Sequence, residues 1–201
     1  MNTYLTTCLL LLLSLSNLSH ATDTPWQLKR DHAGVQIHQL STASGYPMTR
    51  GTLTIEASLD DLLRLMHNHS LCQRWVFACK HAAFIKHNSP TQRLDYIVID
   101  SPLWFADRDM YIASDLQWSG DTLSIRLSGQ DNYDKGQTGK VRVRNIYGRW
   151  LFQPITAKQL KVTYQLHANP QLIPSSLLNQ YVAESVFHTL INLRAMAQTN
   201  D

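Results

Sequence analysis

The sequence lacks the local signatures that carry most enzyme chemistry. It has no serine nucleophile elbow, no glycine-rich loop to cradle a phosphate and no zinc-ligand spacing. It also has no internal repeat and no low-complexity tract. Charge of one sign is nowhere concentrated: 18 Lys and Arg stand against 15 Asp and Glu, a net +3. That balance is too mild for a nucleic-acid binder, and no long basic tract is present. Cysteine is scarce, with three in 201 residues. Beyond the amino-terminal segment no apolar run approaches the roughly 20 residues of a membrane-spanning helix. A hydrophobic content of 44% excludes wholesale disorder.

The first 21 residues carry no charged side chain. They hold the apolar run Leu9 to Leu13 and end in Ser19-His20-Ala21. This reads as a signal peptide, residues 1–21, cleaved after Ala21. Taking it away leaves 180 residues, 22–201, enough for one domain that buries roughly 70% of its unfolded surface. The expected product is periplasmic or secreted.

Cys72 and Cys79 then remain as the pair, and in an oxidising compartment a pair reads as one disulfide. Seven residues of helix rise about 10.5 Å, whereas bridged Cα atoms lie about 4.4–6.8 Å apart. The helix before Cys79 must therefore break near Trp75-Val76, and the chain must fold back.

Periodicity gives the rest. Trp26 to His32 reads as a lead-in. Strands are expected from Gly34 and over Met48–Glu56, with a turn at Ser44–Pro47 between them. Ser58 caps a helix whose Leu59, Leu62, Leu63 and Met66 share a face. Six strand-like segments come next, over 80–87, 93–100, 109–118, 121–129, 140–152 and 159–167. Leu160, Val162, Tyr164 and Leu166 alternate with polar residues, as do Leu123, Ile125 and Leu127, which argues antiparallel sheet with one face buried. A long helix closes the chain, about Ile173 to Gln198. The expected class is α+β, a curved antiparallel sheet around a C-terminal helix, with an apolar cavity between them.

Several stretches together resemble the START domains, the steroidogenic-acute-regulatory-related lipid-transfer family. They are Trp26 to Ile37, Cys72-Gln73-Arg74-Trp75, Pro102-Leu103-Trp104-Phe105-Ala106-Asp107-Arg108-Asp109, Val141 to Arg144, Gly148 to Pro154, and Asn169-Pro170 ahead of Ile173-Pro174. The resemblance covers essentially all of 22–201. It implies the helix-grip fold, a monomer, and one lipid or other hydrophobic ligand in a tunnel between sheet and helix. It also implies transient membrane contact and no cofactor. Some relatives of the fold are cyclases, so an enzyme or a ligand-free interaction module stands as the alternative. The family often carries a charge pair in its cavity; Asp95 fits the acidic half, but Ser114 stands at the basic position, so sterol specificity does not carry over.

The candidate ligand-binding residues lie in four groups. Trp104 and Phe105 read as a gate over the cavity or a membrane anchor, or else as caps on the core. Arg108, between Asp107 and Asp109, reads as a latch pairing with a carboxylate. Met110, Ile112, Ser114 and Trp118 share a strand face, and Tyr96 and Tyr164 bring hydroxyls; they line a cavity or fill ordinary core. Leu178, Tyr181, Val182 and Ser185 begin the final helix as a lid. His67 and His69, two apart on a helix, point opposite ways and are expected to hold no metal.

Overall fold

A computed structural model describes residues 26–101, 104–173 and 175–199, with the backbone alone for 175–178. The expected signal segment lies outside the described residues. The chain opens with strands β1 (Gln27–His32), β2 (Val35–Leu40) and β3 (Met48–Ile55). Helix α1 (Leu59–His67), a 3-10 turn (His69–Leu71) and the short α2 (Cys72–Trp75) follow. Then come β4 (Cys79–Ser89), β5 (Gln92–Ile99), β6 (Asp107–Ser119), β7 (Thr122–Gly129), β8 (Lys140–Arg142), β9 (Arg144–Thr156) and β10 (Gln159–Asn169). The chain closes with α3 (Ser175–Gln198).

Nine strands form one sheet in the order β1-β2-β3-β10-β9-β7-β6-β5-β4, with β8 beside β6. The first three strands thus dock on the last one, and α3 lies against β2 and β3. At Gly51 a Cβ would run into Leu190 and Val186 of α3, so only glycine lets helix and sheet approach this closely. Below that contact sit Val35, Ile37, Leu53, Ile55, Val162, Leu190 and Leu193, all buried in one core.

The caps obey the expected chemistry. Ser58 Oγ accepts the Asp61 N–H at 3.1 Å, and Asp60 and Asp61 fill the first turn of α1. Two expectations need correction. The lead-in is a strand: Ala33 and Gly34, both at positive φ, turn β1 back onto β2. Its exposed residues hid it, and Arg30 pins it to α3 through Glu184 at 2.6 Å and the face of Phe187 at 3.5 Å. The segment 140–152 is two strands. Asn145 takes a left-handed φ of 52° with its N–H on Asp131, and β8 before it pairs with β6 in parallel, the exception to an antiparallel sheet.

The backbone reverses where the cysteine spacing requires. Val76 leaves α2 in an extended conformation, Ala78 has a left-handed φ of 55°, and Cys79 starts β4. Cys72 and Cys79 are joined, with Cα atoms 6.0 Å apart.

Candidate functional site

The space between sheet and α3 is hollow on the β5–β6 side. One chamber, of about 150 Å³, lies under α1 and α2. A second, of about 170 Å³, lies under the amino-terminal half of α3. Val76, Ile97, Ile112, Tyr164 and Thr189 line both, so these five side chains form the waist at which the chambers adjoin.

Strand register decides which side chains reach the cavity. On β6 the inward residues are Arg108, Met110, Ile112, Ser114 and Leu116, at the expected period of two. Met110 lies in the second chamber, Ser114 in the first and Ile112 at the waist. Trp118 continues the alternation but lies beyond the cavity, 58% exposed at the strand end. Tyr96 is also misplaced by the sequence reading. It pairs with Tyr111 on the outer face of the sheet, in a small cluster with Leu94 and Val98, and its hydroxyl donates to Asp109 at 3.3 Å. The inward face of β5 is the other one: Arg93, Asp95, Ile97 and Ile99. The Ile97–Ile99 end of the inner face is apolar, and so is the outer face, where Leu94, Tyr96 and Val98 pack with Tyr111, Ile85 and Ala113.

Arg108 is a latch of a different kind from the one expected. Its guanidinium is buried and donates to the carbonyls of Ala106 at 2.5 Å, Pro170 at 3.1 Å and Gln171 at 2.8 Å, and to Ser101 Oγ at 3.2 Å. The neighbouring carboxylates are taken elsewhere: Asp107 pairs with Lys80 at 3.0 Å and Asp109 with Arg142 at 2.9 Å. Arg108 therefore ties the segment after β5 to the segment before α3 through backbone carbonyls. Trp104 and Leu172, one on each tied segment, are 84% and 78% exposed. Trp104 stacks on Phe105, whose ring lies 5.6 Å from the Arg108 guanidinium, and neither aromatic lines the chambers. Pro102 and Leu103 lie outside the described residues.

From α3, Tyr181, Val182 and Ser185 line the second chamber. The Leu178 side chain lies outside the described residues. The Tyr181 hydroxyl donates to Asp100 O at 3.2 Å and its ring meets Phe77 edge-on. The Ser185 hydroxyl donates to Val182 O at 2.9 Å.

Tyr164 stacks flat on Trp150, with centroids 3.9 Å apart and an interplanar angle of 6°. Desolvation alone pushes its hydroxyl pKa up.

Sequence reasoning missed part of the first chamber. Asp95 Oδ1 lies 2.7 Å from Arg93 Nη2 and 2.8 Å from His69 Nε2. The basic partner thus comes from two residues earlier on the same strand. The Arg93-x-Asp95 alternation beside Ile97 and Ile99 was the available signal. His67 and His69 both line this chamber, contrary to the helical argument. Helix α1 ends at His67, and Asn68 turns the chain with ψ of 94°. Burial, then the nearby Arg93 charge, lowers the His67 pKa. Among the described residues no three His, Cys, Asp or Glu gather to hold a metal. No helix of the described residues is long and apolar enough to cross a membrane.

No family model matches the sequence. An uncharacterized protein of Pseudomonas aeruginosa is 30% identical over 177 residues, covering 86% of this chain and 87% of that one. The crystal structure of a STAR-related lipid transfer protein from Xanthomonas axonopodis is similar, with a TM-score of 0.79 at 27% identity over 86% of this chain and 98% of that one. Human StAR-related lipid transfer protein 5 has a TM-score of 0.78 at 14% identity over 90% of this chain and 89% of that one, a likeness of fold. Sheet order, gripped helix and these similarities agree: the chain belongs to the family of the Pseudomonas protein and is a START-like domain of helix-grip fold.

Proposed function

We propose that the domain binds one lipid or other hydrophobic molecule between the sheet and α3, as a carrier or sensor outside the cytosol and without catalysis. The observation that carries this reading is the two-chambered, largely apolar cavity. Each 100 Å² of apolar ligand surface covered there contributes about 2.5 kcal/mol, before the cost of ordering the ligand. The name of the Xanthomonas protein, STAR-related lipid transfer protein, points the same way. A binding role is further supported by the charged groups on the walls. Asp95 is tied to Arg93 and His69, and Arg108 to backbone carbonyls, so both are fixed parts of the cavity wall.

Entry is proposed at the end closed by Arg108. There the exposed Trp104 and Leu172 form an apolar tip suited to transient contact with a membrane surface. Export is supported by the uncharged, leucine-rich first 21 residues and by the Cys72–Cys79 disulfide.

Native mass spectrometry of the gently purified, full-length expressed protein tests the reading. The expected spectrum carries an added mass of a few hundred daltons that extracts into organic solvent. A ligand-free mass that persists after incubation with lipid extracts overturns it.

A further inference from the structure

A hydrophobic ligand can be of many kinds, and the polar groups on the cavity walls narrow the choice, because most of them are already occupied. Asp95 holds Arg93 and His69, Arg108 holds three carbonyls, and Tyr181 and Ser185 each donate to a backbone oxygen. Among the described residues Ser114, in the first chamber, makes no such bond, and neither does Tyr164, which alone of the two lines both chambers. The Tyr164 side chain is partly buried, and among the described residues its hydroxyl makes no hydrogen bond. Flat stacking on Trp150 fixes its ring, so the hydroxyl is not free to swing toward another partner. Once an apolar ligand covers such a donor without pairing it, the cost is about 1–3 kcal/mol.

One neighbour shares this state, and a second has a proton to donate. Trp75 Nε1, which can only donate, is buried without a partner among the described residues, and its ring meets Trp150 edge-on. Thr189 Oγ1 accepts the Phe77 N–H at 3.1 Å and keeps its own O–H. The waist and the chamber wall beside it therefore offer donors.

Granted the ligand-binding function, on which this step rests, we infer that the ligand carries an uncharged hydrogen-bond acceptor, an ester or ketone carbonyl, part-way along an apolar chain, and that Tyr164 receives it at the waist. Tyr164 and Thr189 line both chambers, so a group bound there has apolar space on either side. The chambers are similar in size, about 150 and 170 Å³, so the two arms are of comparable length. A terminal head group at Tyr164 would leave one chamber empty. A charged group at Tyr164 would find Arg93 already neutralised by Asp95, and Arg108, which keeps its charge among neutral acceptors, lines the second chamber alone; an unpaired charge between them is strongly disfavoured.

Four probes of similar chain length separate the possibilities: hexyl hexanoate, 7-tridecanone, tridecane and dodecanoic acid. Each competes against a fluorescent apolar dye on the full mature protein and on Tyr164→Phe, which keeps the ring and its stacking. The ester and ketone should bind the wild type about tenfold more tightly than tridecane. Tyr164→Phe should lose that advantage and hold tridecane unchanged. The infrared carbonyl stretch of bound 13C-labelled 7-tridecanone should shift to lower frequency in the wild type and recover in the variant. The inference is overturned if dodecanoic acid matches the ester, or if Tyr164→Phe retains the preference and the shifted stretch. Failure of all four probes and the dye to bind would overturn the ligand-binding function itself, and the inference with it.

Discussion

The two halves of α3 are buried in different ways. Toward the carboxyl end, Val186, Leu190 and Leu193 have no exposed surface and press against β2 and β3, where Gly51 makes room. Toward the amino end, Tyr181, Val182 and Ser185 are only half-buried, because they face the second chamber rather than the sheet. One half is covered by protein; the other half is left for a ligand to cover. The difference separates stability from binding along a single helix, and truncations in the two halves should have opposite consequences.

The sharpest test of that contrast pairs Leu190→Ala with Val182→Ala. The first should cost about 2–5 kcal/mol in urea unfolding, as for a buried leucine. The second should cost under about 1 kcal/mol in the ligand-free protein, yet weaken dye binding severalfold. Equal losses of stability would show that the amino half is ordinary core. Next in size is the staple at the boundary between the halves, where Phe77 meets Tyr181 and Thr189. Replacing Cys72 and Cys79 by serine frees a loop of eight residues and should cost about 2.5 kcal/mol on the chain-entropy account. An unchanged urea midpoint would refute it.

A smaller effect depends on pH. The His67 pKa is lowered in the folded chain, so the unfolded chain binds the proton more readily. Stability from this source is unaffected well above pH 6.5 and falls as pH drops below the unfolded value of about 6.5, until His67 is protonated in the folded state too. His67→Gln should flatten the urea midpoint between pH 7 and 5; a profile as steep as wild type would count against the burial of this ring. The smallest stability change is expected for Trp104→Ala with Phe105→Ala. Trp104 is almost wholly exposed and Phe105 is partly buried beside Arg108, so the pair should shift stability by about 1 kcal/mol or less. Lipid exchange between vesicles should slow; unchanged kinetics would remove the tip from the entry route.

The contrast within α3 also explains what is legible in the sequence. Leu160 and Val162, like Leu123, Ile125 and Leu127, alternate plainly because the residues between them, such as Lys161 and Arg126, are polar. On β5 alternation gives no guide: Leu94, Tyr96 and Val98 on one face are as apolar as Ile97 and Ile99 on the other. The covering of the outer face comes from a distant segment, where Tyr133 packs on Tyr111 and Arg142 bonds Asp109 and Asp134. Local pattern does not report such long-range cover, and so the sequence points Tyr96 at the cavity and passes over Ile97. Arg108 is recognisable as a latch, but its sequence neighbours suggest carboxylate partners when its actual ones are backbone carbonyls. The Cys72–Cys79 bridge is legible because helix rise and disulfide reach are fixed lengths. Cavity residues contributed by turns, such as Val76 and His69, have no periodicity to announce them.

The place of β3 beside β10 has a kinetic consequence. Ile55 pairs with Leu160, so the middle of the sheet closes only after roughly a hundred further residues have been made. Until then the amino-terminal hairpin has one partner fewer than it needs, and α3, which arrives last, has no complete floor to lie on. Assembly is therefore expected to be late, slow and close to all-or-none, with the cavity taking shape in the same step that seats the final helix.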